Sequence, residues 1–458
     1  MRNRGQLGGL FLIALVSVAC SDDVDTDPAG GGGAAAEGGG GQGGVGGDGG
    51  QAAKAAKVEI ISVSDDSTSE HEPQLIVGAD GRIVATWNAF NADPTNFYHV
   101  EYRVSDDLGA SWGPVISIPL ADDNNIGSNT TLAAAADGTI YFAFATEYVN
   151  QQGVRSAQRV WLASLPPSEA EFGTPLEVTD PAEAVGVYDQ PAITVTPAGD
   201  LLITYGQAPP DLQSSTLVTQ RSEDGGLTWT KDIPMPKGGP QYMNLFHPCV
   251  SAERVFLLYA DDDLGVALWR SEDGGKTFPP ENRVPVAAED EQGTASMMVD
   301  GNCVAEGDEV WAIYGIASNP WGSAGNVPRL NNISIAHSSD GGATFDWRSR
   351  VEDTSVGPHY LLPRMAGAGG VIDITYYEGE KQGDATASYR HARSLDGGET
   401  FAPSTVVFEP VLYDLQRTTE QWLGDYMGVK VVDGGVVGVF TDNSAPQAHI
   451  AFFSLDQN

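Results

Sequence analysis

Five stretches of this chain spell one phrase: "SDDLGASW" from Ser105, "SEDGGLTW" from Ser222, "SEDGGKTF" from Ser271, "SSDGGATF" from Ser338 and "SLDGGETF" from Ser394. Each reads Ser-x-Asp-x-Gly-x-(Ser/Thr)-aromatic, and a degenerate copy, "SLPPSEAEF" from Ser164, falls midway through the one double-length interval. A period of about 50–60 residues marks a repeat architecture, in which one small unit is stacked many times. Alternating residues precede the phrase ("HVEYRV", "ISIAH", "ASYRHAR") and a short apolar stretch follows it, so it reads as the turn of a hairpin. Glycine at the fifth position takes positive φ at no steric cost, and the Asp carboxylate accepts backbone N–H groups inside the turn. The closing Trp or Phe offers a large apolar surface to pack between sheets.

A second repeat lies upstream of each turn: "PQLIVGADGRIVATW", "TTLAAAADGTIYFAF", "PAITVTPAGDLLITY", "PCVSAERVFLLYA", "SMMVDGNCVAEGDEVWAIY", "PRMAGAGGVIDITYY" and "DYMGVKVVDGGVVGVF". Every copy reads as strand, tight turn, strand. The last is followed by a third strand, "HIAFFSLDQN", whose missing neighbour is supplied by "KVEIISV" at residues 57–63. An N-terminal strand that completes the last sheet is how a circular propeller closes. The expected fold is therefore all-β, a β-propeller of four-stranded blades closed by an N-terminal strand, with seven blades favoured and six as the alternative.

Ahead of the repeats, Arg2 and Arg4 precede the apolar run "LGGLFLIALVSVA", the pattern of a secretory signal and too short for a membrane span. Cys20 directly after Ala19 is similar to the lipobox of bacterial lipoproteins, with Ser17 where that motif usually has Leu. The likeness implies lipidation at Cys20; the alternative is ordinary signal cleavage. Residues 21–57, with "GGGGQGGVGGDGG", have almost nothing to bury and read as a disordered Gly-rich tether spanning about 30–35 Å. The expected organisation is a signal peptide over 1–20 with a lipobox-like end, a tether over 21–57 and a propeller over 58–458. The expected location is the outer membrane or cell surface as a lipoprotein, or alternatively the periplasm or the medium.

A formal charge of -38, from 62 acidic against 24 basic residues, repels phosphate backbones and argues against nucleic acid. Membrane contact is expected only through a lipid anchor, and the chain is expected to be a monomer. Cys249 and Cys303 are the remaining cysteines; in an oxidising compartment they suggest one disulfide, with two buried thiols as the alternative.

The acidic phrases resemble the Asp-box, or BNR, repeats of the sialidase superfamily, and the similarity covers residues 58–458. The resemblance implies a β-propeller that binds or acts on glycans. In that superfamily enzymatic sialidases have six blades, while Asp-box xyloglucanase domains and some ulvan lyases have seven. It also implies that the boxes lie opposite the active face, so Asp107, Asp224, Asp273, Asp340 and Asp396 are expected to be structural. Sialidases grip a substrate carboxylate with three arginines, the first in a Phe/Tyr-Arg-Ile-Pro motif. The comparable stretch here, "SEHEPQLIV", has Pro73 and no arginine, which speaks against sialidase activity proper. Arg364 in "LLPRMAG" is the leading candidate for a carboxylate clamp, with Arg155, Arg329 and Arg417 behind it.

Propeller ligands bind at the mouth of the central channel, where each innermost strand begins. Those entrances read "SEHEP", "GSNTT", "VYDQP", "NLFHP", "GTASM", "GPHYLLPR" and "EQWLGDY". They offer Glu70, His71 and Glu72, then Asp189, His247, His359 with Tyr360, Arg364, Glu420, and Asp425 with Tyr426. Carboxylates and histidines suit acid–base work in a glycosidase, and Arg with His and Tyr equally suits a lyase. Trp321, in the insert "GIASNPWGSAGNVPRLNN", is a candidate sugar-stacking platform. Two acidic loops, "ADDNN" at 121–125 and "ADDDLG" at 260–265, suggest Ca²⁺ as the one cofactor to consider, with Asp261, Asp262 and Asp263 as ligands and a merely solvated loop as the alternative. No HExxH, CxxC pair or phosphate-cradling motif is present, so zinc-peptidase and nucleotidase readings have no support. Two classes remain: a glycan-cleaving hydrolase or lyase, and a non-catalytic surface propeller that binds glycan or protein.

Overall fold

The computed structural model describes residues 56–62, 68–91, 98–119, 125–149, 155–179, 187–208, 216–230, 233, 247–261, 263–291, 295–296, 302–317, 330–345, 347–351, 359–379, 386–412, 423–424, 426–433, 435–444 and 447–456. They form seven antiparallel sheets, so the ring has seven blades and the six-bladed alternative falls. Blade 1 comprises Thr68–Val77, Ile83–Asn91, Tyr98–Ser105 and Ile116–Ser117, and blade 2 comprises Asn125–Ala134, Ile140–Val149, Arg155–Leu165 and Leu176–Glu177. Blade 3 has Val187–Val195, Leu201–Ala208 and Thr216–Ser222, and among the described residues Ile233 bridges Thr219 at the fourth position. Blade 4 runs His247–Ser251, Arg254–Asp261, Gly265–Ser271 and Arg283–Pro285. In blade 5 the innermost position is shared by Ala295–Ser296 and Cys303–Glu306, beside Glu309–Ile316, Asn332–Ser338 and Trp347–Arg350. Blade 6 runs His359–Ala368, Val371–Gly379, Thr386–Ser394 and Thr405–Leu412. Blade 7 takes Gly428–Val432, Gly435–Asp442 and His449–Asp456 from the end of the sequence and Lys57–Ile60 from its start.

That last pairing closes the ring. Lys57 lies opposite Ser454 and Ile60 opposite Ala451, and the Ile61 N–H continues the ladder to the Ile450 carbonyl at 2.8 Å. The second strand of each blade is covered on both faces, which is why "VFLLYA" and "GVVGVF" are apolar without a break rather than alternating.

Seven apolar clusters fill the seven gaps between blades, and the acidic turns are built into them. In the blade 3 turn the Ser222 hydroxyl donates to Asp224 at 2.8 Å and accepts the Gly226 N–H at 2.8 Å. Asp224 also accepts the Thr228 N–H at 2.9 Å and its hydroxyl at 2.6 Å. The same pattern recurs at Asp107, Asp273, Asp340 and Asp396. Tied in this way, the turn presents its closing aromatic to the preceding blade. Trp112 of blade 1 packs edge-on against Phe452 of blade 7 at 5.2 Å, and Phe172 of blade 2 against Tyr102 of blade 1 at 5.0 Å. Trp229, Phe278, Phe345 and Phe401 join the clusters that blades 3, 4, 5 and 6 share with blades 2, 3, 4 and 5.

Position five of the turn does more than bend the chain. Gly226 has φ +93°, and a Cβ there would stand 2.3 Å from Leu162 of blade 2. Position four is left-handed as well, including Leu108 at φ +57°, a requirement that the sequence pattern did not announce.

Register fixes which end of each blade the turns occupy. Ile83 pairs with both Val77 and Ser105, so the acidic turn shares an end with the loop between the first and second strands. Thr68 pairs with Asn91, and Phe90 with Tyr98, at the other end, where the innermost strand enters. The turns and the entrances thus lie at opposite ends. Cys249 and Cys303 are joined by a disulfide between the innermost strands of blades 4 and 5, with Cα atoms 5.7 Å apart.

Two outcomes follow from these turns. Replacing Gly226 by Ala adds left-handed strain and a clash with Leu162, so urea unfolding is expected to show a loss of about 2–4 kcal/mol. Hydrogen bonds from Ser111, Thr228 and Ser394 hold the Asp107, Asp224 and Asp396 carboxyls at about 2, against 3.8 when unfolded. A depressed carboxyl stabilises the fold fully above its unfolded value, and that contribution is lost as pH falls through the folded one. Thermal unfolding followed from pH 4 down to about 2 should therefore show a falling midpoint, and Asp224→Asn should reduce its slope.

Candidate functional site

The innermost strands do not run straight into the channel. Pairing slips between His71 and Gln74, Ser128 and Thr131, Asp189 and Ala192, and Leu361 and Arg364, in blades 1, 2, 3 and 6. At each slip two residues of the innermost strand oppose one of its neighbour, a β-bulge that re-aims side chains at the mouth. In three of them the first extra residue precedes a proline and has positive φ: Glu72 at +58°, Gln190 at +52° and Leu362 at +52°. A side chain at positive φ before proline costs on the order of 1–3 kcal/mol, and such strain gathers where a ligand or a reaction needs it. The residue carried by the bulge differs from blade to blade, as a site for an asymmetric ligand requires.

At the blade 1 entrance, three neighbours face three ways. Glu70 turns to the closing seam, where it accepts hydrogen bonds from Ser62 at 3.4 Å and Thr68 at 3.3 Å and pairs with His449 at 3.4 Å. Burial is the largest influence on Glu70 and holds its carboxyl above the usual range. His71 is buried with Nε2 3.0 Å from the Ser69 hydroxyl, which itself accepts the Ala448 N–H at 3.1 Å. Glu72 is buried and accepts a hydrogen bond from the Asn88 amide of the second strand.

Across the channel, His247 begins the innermost strand of blade 4 and Arg364 lies on that of blade 6. Burial pushes the His247 imidazole well below its ordinary value, and the Arg364 guanidinium lowers it further, so His247 is neutral near pH 7. Arg364 is itself buried and donates to the Pro363 carbonyl at 3.1 Å. Its strand is held from blade 5 by Asn302, whose side chain bonds both the Met365 carbonyl, at 2.7 Å, and the Met365 N–H, at 2.8 Å. The disulfide at Cys249 fixes the His247 strand two residues on.

The other predicted residues separate. His359 is buried at the blade 6 entrance, next to Tyr360. The Tyr360 ring belongs to the cluster between blades 5 and 6, edge-on to Tyr376 at 5.6 Å, and its backbone bridges Leu330. Tyr426 belongs to the cluster between blades 6 and 7. Beside it the Tyr377 hydroxyl donates to the Thr441 carbonyl at 2.9 Å and accepts the Thr441 N–H at 3.0 Å. The Asp189 backbone pairs with Gly206, while its side chain, with Glu420, Asp425 and Trp321, lies outside the described residues.

Of the expected cation ligands, Asp261 has its carboxylate paired with Arg283 and accepting the Asp263 and Leu264 N–H groups at 2.9 and 3.0 Å, so it closes a turn. Asp262 is outside the described residues, and among those described no three metal-ligating side chains come together.

Sequence reasoning missed Asn88, Asn302 and Asn443. Asn88 and Asn443 are both completely buried, yet among the described residues Asn88 Oδ1 and both amide atoms of Asn443 have no hydrogen-bond partner. A polar residue inside the apolar run "ATWNAF" was the available signal for Asn88. Asn302 acts across a blade boundary, which no local pattern shows.

The pairing of His247 with Arg364 has a direct readout. In NMR titrations of the ring nitrogens, His247 should stay neutral well below pH 6.5. Removing the cation with Arg364→Ala should raise its pKa toward the ordinary value without reaching it, because burial remains.

No family model and no curated protein matches the chain. Among solved structures, the Trypanosoma rangeli sialidase in complex with the inhibitor DANA aligns at a TM-score of 0.50 and 13% identity, over 88% of this chain and 60% of that one. The same organism's sialidase in complex with 2,3-difluoro-KDN aligns at 0.50 and 12%, over 87% and 58%. A Hadza microbial sialidase aligns at 0.48 and 14%, over 85% of this chain and 66% of its own. The chain thus spans between 58% and 66% of the length of these sialidases. The protein has a sialidase-like propeller fold.

Proposed function

We propose that this is an exported, surface-tethered propeller that binds acidic glycans at the channel mouth, with Arg364 taking the carboxylate. The observation that carries the reading is a buried guanidinium, felt by His247 from two blades away, in a chain of formal charge -38. A buried cation at the mouth suits a carboxylate, which a guanidinium holds by paired charge-assisted hydrogen bonds. The sialidase-like fold supports a glycan as the bearer of that carboxylate. Export rests on the basic start and apolar run before Cys20, and tethering on lipidation of that cysteine, all in residues outside those described.

One observation favours chemistry in addition to binding. His247 is a neutral base beside a cation, the pair that β-elimination of a uronate requires. Arg364 would neutralise the carboxylate, His247 would take the C5 proton, and the C4–O bond would break to leave a C4–C5 double bond, the proton passing from His247 to the departing oxygen. A hydrolase would instead need an acid on one side of the scissile bond and a nucleophile or base on the other, most often two carboxyl groups.

Binding of glucuronate- and sialate-terminated oligosaccharides should be lost in Arg364→Ala and partly kept in Arg364→Lys, with the melting temperature of the lysine variant near that of the parent. Glycan arrays and calorimetry measure the first, and differential scanning calorimetry the second. Ultraviolet absorbance of unsaturated uronate, present in the parent and absent in His247→Ala, would establish the lyase. Acidic glycans that do not bind at all would end the proposal.

A further inference from the structure

One innermost strand carries a cation inside the channel, below the level of Arg364. Blade 7 begins with Gly428–Val432, in which Val429 and Val431 pack back on blade 6. Val77, Val195, Val250 and Ala305 pack back on the preceding blade in the same way. Because side chains alternate along a strand, the residue before each of them turns to the other side. Those residues are Ile76, Thr194, Cys249 and Val304, and in blade 7 the residue is Lys430. The blade 6 counterpart is Ala366, which faces blade 7 and lies two residues past Arg364 on the way from the mouth to the turn end. At a rise of about 3.3 Å per residue, Lys430 sits roughly 6–7 Å deeper than Arg364, on the neighbouring blade.

The channel is open at this depth. Lys430, Thr194, Cys249 and Val304 are all part-exposed. Each has its own blade on the outer side and a neighbouring blade on either flank, so the solvent it meets is that of the channel. Burial is the influence on the Lys430 ammonium and holds it below the ordinary lysine range, and among the described residues no carboxylate pairs with it. Other blades place apolar or small side chains at this level, and a desolvated ammonium is costly unless an anion meets it. We propose that Lys430 is a second anion subsite, which takes a further oxyanion group of the glycan held at Arg364. A lysine ammonium is a compact charge with three donors, so it suits the end of a group that reaches down a narrow passage. This inference rests on the acidic-glycan reading and deepens it: the ligand carries two negative groups, met at successive depths of the channel.

The test uses the full chain and small probes, sodium acetate, succinate and adipate, followed by saturation-transfer NMR and competition. The better of the two dicarboxylates should bind the parent about tenfold more tightly than acetate. Lys430→Gln should remove that advantage and leave acetate unchanged, while Lys430→Arg should keep part of it; calorimetry checks that both variants fold. Reductive methylation with formaldehyde, read by mass spectrometry, should modify Lys430 in the native chain and be slowed by the dicarboxylate. A parent that holds dicarboxylates no better than acetate, an advantage that survives in folded Lys430→Gln, or a Lys430 that formaldehyde reaches only after unfolding overturns the subsite and leaves the clamp. Dicarboxylate protection of Lys430, with acetate binding indifferent to Arg364→Ala, overturns the clamp and keeps the subsite. Carboxylates that do not bind at all overturn both.

Discussion

A four-stranded sheet of this chain has two apolar faces and cannot cover either by itself. The ring exists because each blade buries one face on the blade before it and the other on the blade after. Seven shared clusters satisfy that need with no face left over, and the acidic turns make the spacing repeat. Their carboxylates tie a short loop to itself, so that an aromatic ring and a glycine meet the neighbouring blade in the same way each time. The hydrogen bonds are local, and their effect is to set the distance between sheets. Burial of apolar area between blades then supplies the larger stabilising term.

The candidate site uses the same backbone for a different end. At the turn end five of the seven blades repeat one acidic turn, because packing makes one demand. At the entrance end the bulges stay while their residues change, from Glu72 to Gln190 to Leu362. A rigid ring of strands can hold left-handed residues before proline because neighbours on both sides fix the strands. Asn302 and the disulfide lend that rigidity to the side of the mouth that carries Arg364 and His247.

Much of this was legible in the residues. Seven copies of a strand pair gave the blade count, and the orphan third strand at 449–456 pointed to residues 57–60 as its neighbour. The turn residues told their own chemistry, since Ser, Asp and Gly at fixed offsets have few other uses. What stayed hidden was whatever depends on two blades at once. Asn302 braces Met365 from the next sheet, Tyr377 docks on the Thr441 backbone, and Asp261 pairs with Arg283. The bulges were hidden for a different reason: an X-Pro pair at a strand entrance reads as ordinary extended chain, and only the register reveals the extra residue.

The closing seam joins the beginning of the domain to its end, where Ser62 and Ile450 stand 388 positions apart. On a ribosome adding about 5–20 residues each second, the first strand waits roughly 20–80 s for its partner to be made. Six blades can assemble in order during that time, but the ring stays open. Until synthesis finishes, residues 57–60 are an unpaired β edge, the kind that recruits foreign strands. Lys57 and Glu59 place opposite charges on that short edge, 3.2 Å apart in the finished fold. The same two residues that decorate the seam in the mature protein are positioned to guard it while the chain is still being born.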